Sequence, residues 1–164
     1  MKAKAIIGIA TASVLLAGGA VAQTVATSTF NVHMRVIDEC SIKSTETLEF
    51  GDHGVWSSNI DAQANLTVAC TNGTPFNIGL DKGSNGSSVS DRQMAGSRGG
   101  SIAYNLYRDA SRSVAWGETV GTDTYSATGT GVDQTVTIFG RVPPAAGAVV
   151  AGNYTDTITV SVTY

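Results

Sequence analysis

Short runs in which apolar and polar residues alternate, separated by turns rich in Gly, Asn and Ser, constrain this chain's fold more than any other feature. The alternation marks Phe30 to Val36, Leu66 to Cys70, Phe76 to Leu80, Ile102 to Leu106, Val136 to Ile138 and Ile158 to Tyr164. Period two places successive side chains on opposite faces of an extended chain, the pattern of a half-buried strand. Thr47 to Phe50 and Val114 to Trp116 are shorter candidates. No stretch sustains a 3.6-residue apolar period with caps, so helix is expected to be minor. Asn72-Gly73 and Asn85-Gly86 can supply the positive φ values of tight turns, and Pro143-Pro144 interrupts the sheet before the final run. Asp81 to Ser101, long and rich in Gly and Ser, is expected to be a loop with room for a short irregular strand near Val89. Several short strands without a fixed repeat or a dividing linker predict one all-β sandwich.

The first residues have the form of a secretory signal. Lys2 and Lys4 precede an apolar run from Ala5 to Ala17, and Ala20-Val21-Ala22 is a small-x-small cleavage site, with Ala26 as a second cleavage point. The apolar run is too short to span a bilayer, and no later segment approaches the roughly 20 apolar residues that a spanning helix needs. Cleavage after Ala22 leaves 142 of the 164 residues, enough for one domain with an ordinary core. It also takes two of the ten basic residues, leaving eight against thirteen acidic ones, a formal charge of −5. The remaining Lys and Arg residues form no basic stripe, which argues against nucleic acid or an anionic membrane surface as the main partner.

Export makes a disulfide the expected state of the only two cysteines, Cys40 and Cys70. Two cysteines with the distant His33 and His53 lack the ligand spacing of a metal site. No catalytic constellation stands out. His33 lies mid-run and His53 in the turn Gly51-Asp52-His53-Gly54, both read as polar surface residues. Asp38-Glu39 reads as a solvated turn pair, and Gly129-Thr130-Gly131 lacks the third glycine and following helix of a phosphate cradle. Enzyme activity and cofactors are therefore not expected.

Two segments carry the functional expectation. In Thr27 to Ile37, the side chains of Phe30, Val32, Met34 and Val36 share one face, and Asn31, His33 and Arg35 the other. A strand before the first cysteine can add to another domain's sheet, with main-chain hydrogen bonds giving affinity and alternate side chains giving specificity. Burying four such side chains is worth roughly 6–12 kcal/mol as an upper bound. Composition alone favours a plainer reading, in which this is the first strand of its own sheet. The second segment is the run from Gly152 to Tyr164, expected to lie at a sheet edge that needs covering.

The alternating run before Cys40, the partner Cys70 in Val68-Ala69-Cys70, and Ala103-Tyr104-Asn105-Leu106-Tyr107-Arg108-Asp109-Ala110 together resemble a known family. Ile138-Phe139-Gly140-Arg141-Val142-Pro143 and the ending Gly152-x-Tyr154-x-Asp156 into an apolar run add to the resemblance. The chain is similar to the spore coat protein U domain family, which includes the pilins of archaic chaperone–usher pili. The resemblance covers nearly all of the mature chain, except the loop from Ser84 to Ser97. It implies an incomplete immunoglobulin-like sandwich, completed by donor-strand exchange. A periplasmic chaperone would lend a strand during export, and at an outer-membrane usher the next subunit's N-terminal segment would replace it. Phe30, Val32, Met34 and Val36 would then be donor side chains. The strand from Tyr154 to Tyr164 would edge the acceptor groove and meet the chaperone through Tyr154, Ile158, Val160, Val162 and Tyr164, with the Tyr164 carboxylate held by basic chaperone residues.

On this resemblance, residues 1–22 are the signal, 23–38 a donor-strand extension and 39–164 the pilin domain. The product would be a shaft subunit of a surface fimbrium, polymerising with sister pilins of the same or another kind and supporting adhesion and biofilm formation. Two other classes compete. A carbohydrate-binding sandwich would use Trp56 or Trp116 as a stacking platform, and a self-complete coat or matrix protein would never exchange strands.

Overall fold

A computed structural model describes residues 23–144 and 149–164; the expected signal segment lies outside them. The chain divides into two units, residues 1–34 and 35–164. In the first unit, residues 23–34 form neither strand nor helix and are exposed.

The second unit is all-β. Its strands are β1 (Cys40–Thr45), β2 (Ile60–Cys70), β3 (Pro75–Leu80), β4 (Arg92–Gly96), β5 (Ser101–Tyr107), β6 (Tyr125–Thr128), β7 (Asp133–Val142), β8 (Tyr154–Thr155) and β9 (Val160–Thr163). One sheet has the order β1-β2-β7-β5-β4-β8 and the other β6-β3-β9, every pairing antiparallel. No helix among the described residues is long and apolar enough to cross a membrane.

Alternation places the core as expected. Leu66 and Val68 of β2, Val136 and Ile138 of β7, and Tyr104 and Leu106 of β5 face Phe76, Ile78 and Leu80 of β3, with Trp116 between them. The runs around Leu66, Phe76, Ile102, Val136 and Ile158 thus lie in or against β2, β3, β5, β7 and β9. The turn Thr71–Thr74 needs its glycine, since Gly73 has φ +88°. The cysteine pair is oxidised: Cys40 and Cys70 are direct partners across β1 and β2 and form a disulfide.

Several expectations are corrected. Phe30 to Val36 belongs to neither sheet, and the first strand among the described residues begins at Cys40, so this segment is not the first strand of its own sheet. Side-chain alternation states which face would be buried, but a strand also needs a partner for its main-chain groups. Thr47 to Phe50 forms no strand; instead Leu48 and Phe50 pack on the core over Gly140, where an added Cβ would lie 2.9 Å from either side chain. From Val114 to Trp116 there is only a single bridge, Tyr107 to Ala115. Asp81 to Ser101, expected as a loop with room for a short strand near Val89, does hold one, β4, which starts only at Arg92, while Val89 itself lies in a bridged turn between Ser88 and Asp91. The expected strand Tyr154 to Tyr164 is two strands on different sheets: β8 pairs with β4 and β9 with β3.

Candidate functional site

Sheet edges are where an antiparallel sandwich exposes unpaired main-chain donors and acceptors. Two such edges, β1 and β9, approach within 8 Å between Cα atoms yet belong to different sheets and are not paired with each other. Burial falls off toward this seam. Ile42 of β1 is 41% exposed, whereas its cross-strand partner Val68 is 0% exposed. On the other sheet Val160 and Val162 are half-buried, whereas their partners Leu80 and Ile78 are fully buried. Ile158, just before β9, is also half-buried against the core. The inward faces of both edge strands thus carry aliphatic side chains that the two sheets cover only in part. Strands of one sheet lie about 4.8 Å apart, so a further strand joining both edges would have to part them.

Each segment proposed from sequence has a definite place. Phe30, Val32, Met34 and Val36 are 87%, 82%, 89% and 68% exposed, without a main-chain partner strand. Ile158, Val160 and Val162 line the seam, and Tyr164 beyond them is exposed. Tyr154 stands apart from them, on β8. Its ring lies against Gly96, where an added Cβ would come within 2.7 Å of it, and its hydroxyl donates to Val150 O at 2.8 Å.

The start of β1 is anchored to the β2–β3 turn. Thr74 Oγ1, in a buried residue, donates to Asp38 Oδ1 at 2.7 Å, and Thr71 Oγ1 donates to Ile37 O at 3.0 Å. Residues 37–38 therefore leave the sandwich at the pole where β3 begins. β9 ends at the same pole, because Thr163 pairs with Asn77 near the start of β3.

The start of β9 is set by a polar cluster that the sequence reading largely missed. Arg92, 0% exposed, donates through its guanidinium to the carbonyls of Leu80, Asp81, Val89 and Trp116 and to Asn105 Oδ1, at 2.8–3.2 Å. Tyr104 Oη donates to Asp156 Oδ2 at 2.7 Å, and burial first, then this bond, pushes its phenol far above the usual range. Burial opposes ionisation of Asp81, but hydrogen bonds from Thr159 and Gly83 outweigh it and hold that carboxyl below the usual value. The one sequence signal for Arg92 is its position in Arg92-x-Met94-x-Gly96, where a cation takes a core-facing place.

The remaining motif residues are structural braces. Arg141 forms a paired contact with Asp61 at 2.7 and 2.8 Å. Arg112, a non-glycine residue at φ +56°, adds a 3.3 Å ion pair to Asp61 and donates to Gly140 O. The Asp109 carboxylate caps the turn 109–114 by accepting from Ser111, Ser113 and Val114.

Trp116 is fully buried with its Nε1 donating to Ile78 O at 2.8 Å, so it cannot serve as a sugar platform. Trp56 is half-buried with its Nε1 donating to Pro143 O. His33 is exposed, and His53 Nε2 lies 2.7 Å from Phe50 O. Among the described residues, no group of three His, Cys, Asp or Glu could hold a metal ion.

Comparison with known proteins agrees with this architecture. The chain is 29% identical to Protein U of Myxococcus xanthus over 175 residues, covering 98% of this chain and 97% of that protein. The fold is similar to a chain of the chaperone–tip adhesion subunit pre-assembly complex from archaic chaperone–usher Csu pili of Acinetobacter baumannii. The TM-score there is 0.53 at 21% identity, over 79% of this chain, which spans only 40% of the solved one. The Spore Coat Protein U domain matches residues 26–161, from the exposed N-terminal segment into β9, and on that match the chain belongs to the Spore Coat Protein U domain family.

Proposed function

We propose that this protein is a structural subunit of a surface fibre, assembled by donating residues 30–36 of one copy to the seam between β1 and β9 of the next. The observation that carries this reading is a matched pair of unmet requirements. Four alternating apolar side chains are 68–89% exposed, and an apolar seam between two edge strands lacks a cover. Strand addition meets both at once, since the edge supplies main-chain partners and the seam takes alternate side chains.

Polarity follows from the anchored pole. The donor segment leaves at the Thr71–Thr74 end, where β9 also ends. A donor running antiparallel to β9 of a second copy meets that copy's opposite pole, so one contact repeats head to tail and generates an open fibre. A donor running parallel to β9 would bring like poles together and stop after two copies. Before assembly, a periplasmic chaperone would cover the seam through Ile158, Val160, Val162 and Tyr164, and an outer-membrane usher would exchange it for a sister subunit. The fibre would lie outside the cell and support attachment and biofilm formation. Similarity to a chaperone–subunit complex and family membership support this route.

The test is deletion of residues 23–37. The shortened chain is expected to keep its disulfide and its sheets, to bind a peptide of residues 23–37, and to form no fibres. Fibres of normal length from the shortened chain would refute the proposal.

A further inference from the structure

We infer that Asp81, Tyr104 and Asp156 are positioning residues of the acceptor edge: they hold β9 in register while its outer side has no partner. This assignment rests on the fibre reading above and extends it to residues that do not line the seam.

An edge strand four residues long and hydrogen-bonded on one side has little to hold it in place. β9 is nevertheless tied at its start. The chain crosses from β8 to β9 through residues 156–159, and Asp156, Thr157 and Thr159 of that crossover are bonded to the loop after β3. Asp81 N donates to Thr159 O at 3.1 Å, and Thr159 N donates back to Asp81 Oδ1 at 2.9 Å. Ser84 N donates to Thr157 O and to Asp156 Oδ1, and Asn85 Nδ2 donates to Asp156 Oδ1 at 2.9 Å. The second oxygen of Asp156 takes the Tyr104 hydroxyl, reaching back to β5 of the other sheet.

Two further features show that the contact is built closely. Gly83 has φ +79°, and a Cβ there would fall 2.1 Å from Asp156 Oδ2, so the carboxylate sits where only glycine leaves space. Arg92 fixes the other side of the loop by binding the carbonyls of Leu80 and Asp81. The loop is thus clamped to β4 and the crossover to the loop. Ordering of β9 comes from inside the subunit, so an incoming strand meets a preformed edge. Preorganisation of this kind raises affinity by removing an ordering cost from the binding step.

Hydrogen exchange on the full mature chain tests this, comparing wild type with Asp81→Ala and Tyr104→Phe. The second variant removes one oxygen and guards against a first that fails to fold. The expected result is at least tenfold faster exchange at residues 157–163 in Asp81→Ala and a smaller rise at the same place in Tyr104→Phe. β2 and β7 should be unchanged, and affinity for a peptide of residues 27–37 should fall about tenfold in Asp81→Ala. Unchanged exchange in β9, or a rise shared equally with β2 and β7, overturns the assignment. Peptide protection of wild-type β9 with equal affinity in Asp81→Ala overturns this assignment alone. Wild-type β9 amides that ignore the peptide overturn the acceptor reading, and this assignment with it.

Discussion

Replacing Arg92 with methionine keeps most of the aliphatic volume but removes all five guanidinium hydrogen bonds. Four of the acceptors are main-chain carbonyls, which no substitution at position 92 can take away. That separates this case from a buried ion pair, where replacing both partners with apolar groups is often harmless. The bonds to Leu80 and Trp116 are buried, so those two oxygens lose their donor where water does not reach. Each unsatisfied buried group costs about 1–3 kcal/mol, giving roughly 3–5 kcal/mol once partial loss at Asp81 and Val89 is included. A domain of this size has about 5–15 kcal/mol in total, so the effect is large. Urea unfolding followed by tryptophan fluorescence reads it through Trp116, whose carbonyl Arg92 holds. All chains must be compared in the same state of association. Arg92→Lys should lie between, because one ammonium has three donors and cannot reach acceptors spread around a planar fork. An Arg92→Met protein within about 0.5 kcal/mol of wild type would refute the reasoning.

Cys40→Ser should cost about 3–4 kcal/mol, because the unfolded chain regains the loop entropy that a cross-link spanning 30 residues removes, measured as a lower denaturation midpoint with a somewhat steeper slope. Acid should destabilise the fold below about pH 4. The Arg141 hydrogen bond first, despite some burial, holds the Asp61 carboxyl below its ordinary value, and the bonds to Asp81 do the same. Carboxyls depressed in this way stabilise the folded state above their unfolded pKa of about 3.9, and the contribution is lost as pH falls through the folded value. Asp61→Asn should therefore flatten the acid limb of a stability–pH curve, and an unchanged limb would exclude Asp61 as a source. Gly96→Ala should loosen β8, because its Cβ would fall 2.5 Å from Gly99 O and 2.7 Å from the Tyr154 ring. Faster exchange at Tyr154 and Thr155 would be the readout.

The residues themselves explain why some of this architecture was legible in sequence and some was not. β2, β3, β5 and β7 alternate cleanly because both sheets bury one face of each, and apolar residues fill that face. β4 was hidden because Arg92 occupies a core-facing position, so the pattern breaks at the residue that matters most. β1 was hidden by Ser41, Lys43 and Ser44 and by the register shift between Ile42 and Ser44, and its one inward aliphatic residue is left partly exposed. Ile158 to Tyr164 alternates, but Asp156 puts an acid in the same register, bonds to Tyr104 and stands where the chain passes from one sheet to the other. Phe30 to Val36 alternates as well as any strand and pairs with none. Its side chains specify a buried face, and that face lies in no sheet of its own chain.

The most direct measurement is a structure of the assembled polymer, resolving which segment lies beside Val160–Thr163. Residues 30–36 of a neighbouring copy should run antiparallel to β9, with Phe30, Val32, Met34 and Val36 turned inward between Ile42 and Val162. A polymer in which that edge is bare, or is covered by a segment other than 30–36, would contradict the shared-strand mechanism.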